Sequence, residues 1–322
     1  MYTVEQKYVI GLDLGGTNSI FGIVNARGEI KAQTAIKTQD YLTIDDYINA
    51  SCEALQPIID SVGGISSIKG MGIGAPSGNF YTGCIEHAAN LKWEFVPITQ
   101  LFHDRLNIPV SLANDANAAA LGEMTYGAAR GMKDFIMITL GTGVGSGIVV
   151  NRQLVLGCDS FAGELGHFII DNSPEARPCG CGRKGCLETY CSATGVARTA
   201  REFLEKRNDA SLLRELDPAN ITSLDIYNAA IKGDALAKDI FDSTGTILGK
   251  SCANFATFSS PEAFIFFGGL TKAGDLLMDP IKKAYDENIL NMCKGKAQLL
   301  ISSLNGSKAA VLGASALGWG DR

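Results

Sequence analysis

Positive charge is in short supply: 28 Lys and Arg stand against 34 Asp and Glu, a formal net charge of −6. No bulk positive field exists to recruit nucleic acid or an anionic membrane surface, so a small molecule is the expected partner. Proline is scarce, with nine residues diluted among 37 Gly, and no low-complexity segment or obvious linker interrupts the chain. That composition excludes disordered, collagen-like and coiled-coil readings. Long hydrophobic runs are missing too. The uncharged stretch from Phe135 to Asn151 is broken by glycines and falls short of the roughly 20 apolar residues that cross a bilayer. No basic region, apolar run and cleavage site precede Val9, so nothing reads as a signal peptide, and the expectation is a cytoplasmic protein with no membrane partner.

Two familiar phosphate fingerprints are absent. A dinucleotide-binding pattern starting at Gly141 needs Gly or Ala where Ser146 stands, and one starting at Gly143 meets Ile148. A P-loop ending at Gly249-Lys250-Ser251 needs glycine where Thr244 stands. Neither a nicotinamide enzyme nor a P-loop ATPase is supported.

What remains is a chain of 322 residues with 46% hydrophobic side chains, enough for about two domains of about 150 residues each. Tyr8 to Asp13 is a short β-rich run, Gly15 to Asn18 has turn chemistry, and Ile20 to Val24 is apolar again, which predicts a hairpin. The pattern returns 126 residues later, where Leu14, Gly15, Val24 and Asn25 align with Leu140, Gly141, Val150 and Asn151. A domain-sized repeat implies two similar halves. Helical spacing from about Thr43, over Ala193–Arg207, Thr222–Lys232, Ala235–Phe258 and Leu276–Leu290, alternates with strands at Gly70–Ala75 and Ala263–Phe267. The class is α/β.

Asp13-Leu-Gly-Gly-Thr-Asn18 sets a carboxylate at a strand end before a glycine turn and two small polar residues. Gly15 and Gly16 let backbone amides approach a phosphate, Thr17 and Asn18 can donate to it, and Asp13 can hold Mg²⁺ directly or through water. An ordinary hairpin turn would carry the same residues. The second hairpin supplies a matching loop with Gly141, Thr142 and Gly143.

Four segments carry a resemblance: Asp13–Asn18, Asn114-Asp-Ala-Asn-Ala-Ala-Ala-Leu-Gly-Glu123, Glu164-Leu-Gly-His167 and Cys179-Gly-Cys-Gly-Arg-Lys-Gly-Cys-Leu-Glu188. From Val9 to near the C-terminus the chain resembles ROK family sugar kinases, most of all the bacterial glucokinases. The resemblance implies the actin/hexokinase-like, ribonuclease H-like ATPase fold, two similar α/β domains flanking a cleft that takes sugar and ATP. The repressors of that family carry an N-terminal helix-turn-helix, for which the eight residues before Val9 leave no room. The halves are expected at 1–115, completed by a C-terminal helix over 308–322, and at 116–307.

Cys179, Cys181 and Cys186, with His167 eleven intervening residues upstream, form a Cys₃His set suited to a closed tetrahedral zinc site. Closed sites leave no water to activate, so the metal is expected to be structural, fixing the loop 167–188. By resemblance, Asn114, Asp115, Glu164, His167 and Glu188 contact the sugar, Gly78 adds a backbone contact, and Asn90 lies near the pocket wall. The family usually shows Pro-Gly near Gly78, where this chain has Pro-Ser-Gly. Gly268 and Gly269 are implied to face the adenosine. Asp115, between a short strand and an Ala-rich helix, is the expected base for the sugar 6-hydroxyl, although a helix cap would look the same.

The implied activity is transfer of the γ-phosphoryl group of Mg-ATP to glucose, giving glucose 6-phosphate and ADP. Another hexose (N-acetylmannosamine, N-acetylglucosamine, fructose or allose) or a non-catalytic sugar sensor stands as the alternative, and a homodimer or homotetramer is the implied assembly.

Overall fold

The computed structural model describes residues 6–88, 90–304 and 306–320. The chain opens with β1 (Tyr8–Leu14), β2 (Ser19–Asn25) and β3 (Ile30–Ile36), then α1 (Ile44–Asp60) and β4 (Ile68–Gly74). A small ribbon of β5 (Ile85–Glu86) and β6 (Phe95–Val96) precedes α2 (Ile98–Leu106), β7 (Val110–Ala113) and α3 (Asp115–Tyr126). The pattern restarts with β8 (Phe135–Leu140), β9 (Val144–Val150) and β10 (Gln153–Leu154), followed by the helices α4 (Glu188–Cys191), α5 (Ala193–Lys206), α6 (Ser223–Ile231) and α7 (Ala235–Ser259). Then come β11 (Ala263–Phe267), α8 (Asp275–Asn288), β12 (Gln298–Ile301) and α9 (Gly306–Leu317).

Two five-stranded sheets share one plan, β3-β2-β1-β4-β7 and β10-β9-β8-β11-β12. In each, an antiparallel hairpin is extended by parallel strands. The repeat read from the two glycine turns is therefore carried through the strand order.

Period-2 alternation sets the faces of β1. Ile10, Leu12 and Leu14 enter a core with Tyr47, Leu55 and Ile59 of α1 and Phe102 of α2. Val9 packs instead with Val24, Val311 and Leu312, on the side covered by α9. That side is glycine-lined: a Cβ on Gly72 of β4 would sit 1.9 Å from the carbonyl oxygen of Ala314, so the helix backbone rests directly on the strand. Asp13 shares the parity of Val9, which turns it toward the face where α3 and α9 lie.

The chain divides into two compact units. The first holds 1–132, 147–163 and 302–322, and the second 133–146 and 164–301. This grouping differs from a break at residue 115. Helix α3 belongs with α9, because Gly122 and Gly313 let the two helices touch, a Cβ on Gly122 lying 2.8 Å from Gly313 Cα. The 147–163 segment belongs there too: Asn79 Nδ2 donates to the Asp159 carbonyl at 3.1 Å, and Tyr81 Oη to that of Gly157 at 2.8 Å.

In the second unit, the central strand β11 is buried from Ala263 to Phe266, flanked in parallel by β8 and β12. Its unbroken apolar run is that of a strand covered on both faces. Among the described residues, no helix is long and apolar enough to cross a membrane.

Candidate active site

The residues singled out in the sequence fall into two groups, one in each unit. In the first, Gly15 N donates to the Asn18 carbonyl at 3.0 Å and closes a tight turn that leaves Thr17 and Asn18 exposed. Gly16 has no room for a side chain, since a Cβ there would lie 2.4 Å from the carbonyl oxygen of Asn90. The loop expected to grip phosphate and the residue expected at the sugar wall are thus in direct contact.

Gly78 rests on the end of β7, where a Cβ would come 2.7 Å from the Ala113 carbonyl oxygen. Ser77 before it takes a positive φ of 52°, so the Pro-Ser-Gly variation is absorbed by a left-handed serine. Next along β7 comes Asn114, and it, rather than Asp115, caps α3: its side-chain oxygen accepts from Ala116 N at 2.8 Å and Asn117 N at 3.2 Å. What Asn114 retains for a ligand is its amide NH₂.

Asp115 is the first residue of α3, and one of its oxygens accepts from Ala116 N at 2.8 Å. Solvent reaches the residue, yet the protein packed around its carboxylate pushes its pKa above the usual range. Asp13 is driven from 3.8 up to about 6, first by burial and then by the charge of Asp115. A buried carboxylate whose cost of ionisation is raised further by a second carboxylate makes a site that favours a cation.

In the second unit, Gly141 N donates to the Gly143 carbonyl at 3.0 Å, the counterpart of the turn at Gly15. This loop is fastened from below. Ala193 N donates to the Gly141 carbonyl at 2.8 Å, and Thr194 Oγ1 to that of Thr142 at 2.9 Å. Glu188, the first residue of α4, lies 3.4 Å from Val144 N through Oε2, and a Cβ on Gly143 would come 2.7 Å from that oxygen. At the end of β11, Gly268 has a positive φ of 116°, with Leu140 so close that a Cβ would meet its carbonyl oxygen at 2.4 Å.

His167 ends a short 3-10 turn that begins just after Glu164. A ring nitrogen of His167 and the sulfurs of Cys179, Cys181 and Cys186 all lie within 4.8 Å of one another, and His167 Nδ1 is 3.6 Å from Cys179 Sγ. Main-chain bonds build the knuckle: Cys179 N to Arg183 O at 2.9 Å, Gly182 N to Cys179 O at 3.1 Å, and Leu187 N to Phe168 O at 2.9 Å. Gly182 and Gly185 take positive φ there, and a Cβ on Gly185 would strike the Asp171 carbonyl oxygen at 1.9 Å. Three thiols and one imidazole nitrogen converging at this range are a donor set that fits zinc. With Nδ1 turned to the sulfurs, Nε2 is the nitrogen His167 has left for another partner.

Two cavities in the second unit adjoin these residues. One, of about 510 Å³, is lined by Thr142, Gly143, Cys179, Glu188, Thr194 and the side of α5 that carries Arg198 and Arg201. The other, of about 470 Å³, is lined by Tyr227, Phe241, Gly269, Leu270 and Lys272. Sequence reasoning singled out only the glycine in this second cavity. Tyr227 and Phe241 lie on α6 and α7, whose helical spacing says nothing of the space between them. Of the other two histidines, His103 Nδ1 is bonded to the Ile108 carbonyl at 2.8 Å and His87 holds a positive φ of 51° in a loop.

Residues 9–319 match the ROK family model. The glucokinase of Halalkalibacterium halodurans is 36% identical over 323 residues, covering 98% of this chain and 95% of that one. That of Thermotoga maritima is 32% identical over 313 residues, covering 96% of each. A ROK family glucokinase from Streptomyces griseus, solved with glucose and AMPPNP, superposes with a TM-score of 0.77 at 33% identity, over 97% of this chain and 100% of that one. The two sheets are those of the actin/hexokinase-like fold, and the chain belongs to the ROK family.

Proposed function

We propose that the protein is an ATP-dependent glucokinase that transfers the γ-phosphoryl group of Mg-ATP to the 6-hydroxyl of glucose. The observation that carries this reading is identity of 32–36% to glucokinases over nearly the whole length. The pairing of Asp13 with Asp115 in the first unit supplies the matching chemistry.

In this reading Asp115 accepts the proton of the 6-hydroxyl as that oxygen bonds to the γ-phosphorus and the bond to the β–γ bridging oxygen breaks, releasing ADP. Its raised pKa makes it a better proton acceptor than a free carboxylate. Asp13 would hold Mg²⁺ directly or through water, where the ion would neutralise the charge of the transferring phosphates. Backbone amides of the 15–18 and 141–143 turns hold the phosphoryl oxygens. Tyr227 and Phe241 offer apolar walls for the base of the nucleotide beside Gly268 and Gly269.

Asn90, Asn114, Glu164, His167 and Glu188 hold the ring hydroxyls, for which paired donors and carboxylates are suited. Gly78 adds its backbone. His167, Cys179, Cys181 and Cys186 would hold zinc as a structural cross-link, leaving the other ring nitrogen of His167 for the sugar. Resemblance to the family supports a cytoplasmic homodimer or homotetramer, with no nucleic acid partner. Coupling ADP release to a panel of glucose, N-acetylmannosamine, N-acetylglucosamine, fructose and allose tests the assignment. Glucose is expected to give the highest kcat/KM, and ADP release with none of them would overturn the kinase reading.

A further inference from the structure

Arg177 is 5% exposed and stands two residues before the first cysteine of the knuckle. All five N–H donors of its guanidinium are engaged. Nε donates to Glu202 Oε1 at 3.1 Å and Nη2 to Glu202 Oε2 at 2.7 Å, a bidentate pair on α5. Nη2 also donates to Thr199 Oγ1 at 2.9 Å. Nη1 donates to the Thr189 carbonyl of α4 at 2.7 Å and to the Gly195 carbonyl of α5 at 3.3 Å. The guanidinium lies 4.4 Å from the centre of the Tyr190 ring, and Tyr190 Oη in turn donates to Asp171 Oδ2 at 2.6 Å.

The backbone of Arg177 is tied as well. Its N–H donates to Tyr190 Oη at 3.1 Å, and its carbonyl accepts from Gly185 N at 2.8 Å, one residue before Cys186. One residue therefore joins the cysteine knuckle through its backbone and both α4 and α5 through its side chain. Helix α4 is only four residues long and begins at Glu188, so it has little rigidity of its own.

We propose that Arg177 is a positioning residue for Glu188, a clasp that orients α4 against the cysteine knuckle and the 141–143 loop without help from the metal. A guanidinium with no donor left over takes no part in binding substrate, and its planar fork is what reaches five backbone and side-chain acceptor atoms on two helices at once. For its kinetic consequence the inference rests on the glucokinase reading; the clasp itself does not.

Two measurements on Arg177→Met and Arg177→Lys separate these. In full-length protein treated with a zinc chelator, amide exchange over 177–191 is expected to stay slow in the wild type. It should accelerate about tenfold or more in Arg177→Met and less in Arg177→Lys, on the scale by which outer-shell partners act on a site. This arm needs no turnover. In metal-loaded enzyme, KM for glucose, or for whichever hexose the panel selects, should rise about tenfold or more with KM for ATP held within about twofold. Loss of folded fraction alone would lower kcat and leave both KM values unchanged. Should Arg177→Met fail to accumulate, Arg177→Lys and Glu202→Gln carry the same comparison. Unchanged exchange overturns the clasp, and faster exchange with an unchanged hexose KM overturns its role in placing Glu188.

Discussion

Glu188 touches Cys179: one carboxylate oxygen lies 3.1 Å from the sulfur and 3.7 Å from His167 Nδ1, while the other is 3.4 Å from Val144 N. A carboxylate shared between the cysteine cluster and a glycine loop couples the two. Desolvation pushes the Cys179 thiol up to about 12, whereas the Cys181 thiol is held down to about 6, first by the Arg183 backbone and then by its guanidinium. A buried neutral Cys179 thiol facing Glu188 is a different neighbour from a metal-bound thiolate.

Stripping zinc with a chelator should therefore raise KM for glucose about tenfold or more, the range seen when groups around a metal are disturbed, and restored zinc should recover it. Cys181→Ser should behave like the stripped enzyme and resist recovery. Kinetics that do not respond to metal content, with loss of zinc verified by elemental analysis, would remove the metal from the account.

Much of this site was legible in the sequence because it is local. The knuckle shows in the spacing of Cys179, Cys181 and Cys186, and the two turns proposed to hold phosphate show in glycines that follow short apolar strands. What escaped the sequence is set by contacts distant along the chain. The Asn114 cap competes with Asp115 one residue away, and only backbone geometry decides between them. A break at residue 115 looked natural because β7 ends there, yet α3 is held by α9, nearly two hundred residues later, through Gly122 and Gly313. Arg177 carries no motif at all, since its partners lie on α4 and α5 and show no fixed spacing from it.

Asp115→Asn removes the proposed proton acceptor while keeping size and one hydrogen-bond acceptor. Turnover should fall by about 10²–10⁴, the share of rate that a placed general base supplies. Glucose binding, followed by intrinsic fluorescence or calorimetry, should persist, since the amide still bonds a hydroxyl. Turnover retained within about tenfold would assign the base elsewhere.

Gly72→Ala tests the close seat of α9. The added methyl would lie 1.9 Å from the Ala314 carbonyl oxygen and 2.8 Å from Leu317 Cβ, so a helix backbone, not a flexible side chain, must move. Overpacking of this kind costs about 1–3 kcal/mol or more, read as a lower urea midpoint for the first unit. Gly180→Ala, where nothing lies within 4 Å of the added Cβ, is the matched control and should be near neutral.

Asp13 sets a pH dependence of defined sign. Its pKa is raised from 3.8 to about 6, chiefly by burial and secondly by Asp115. Between these values the folded chain binds more protons than the unfolded one, so stability falls as pH rises through that window. The shift corresponds to a cost of about 3 kcal/mol, complete above about pH 6 and relieved toward pH 4. Asp13→Asn lifts that cost. The variant should melt at a higher temperature than the wild type near neutral pH, with the gap closing as pH falls, and should lose Mg-ATP turnover. In the wild type, KM for Mg-ATP should climb below about pH 6 as protonation competes with the cation. A variant no more stable than the wild type at neutral pH would mean that Asp13 is not paying this penalty, and the case for a cation site built on two strained carboxylates would fall with it.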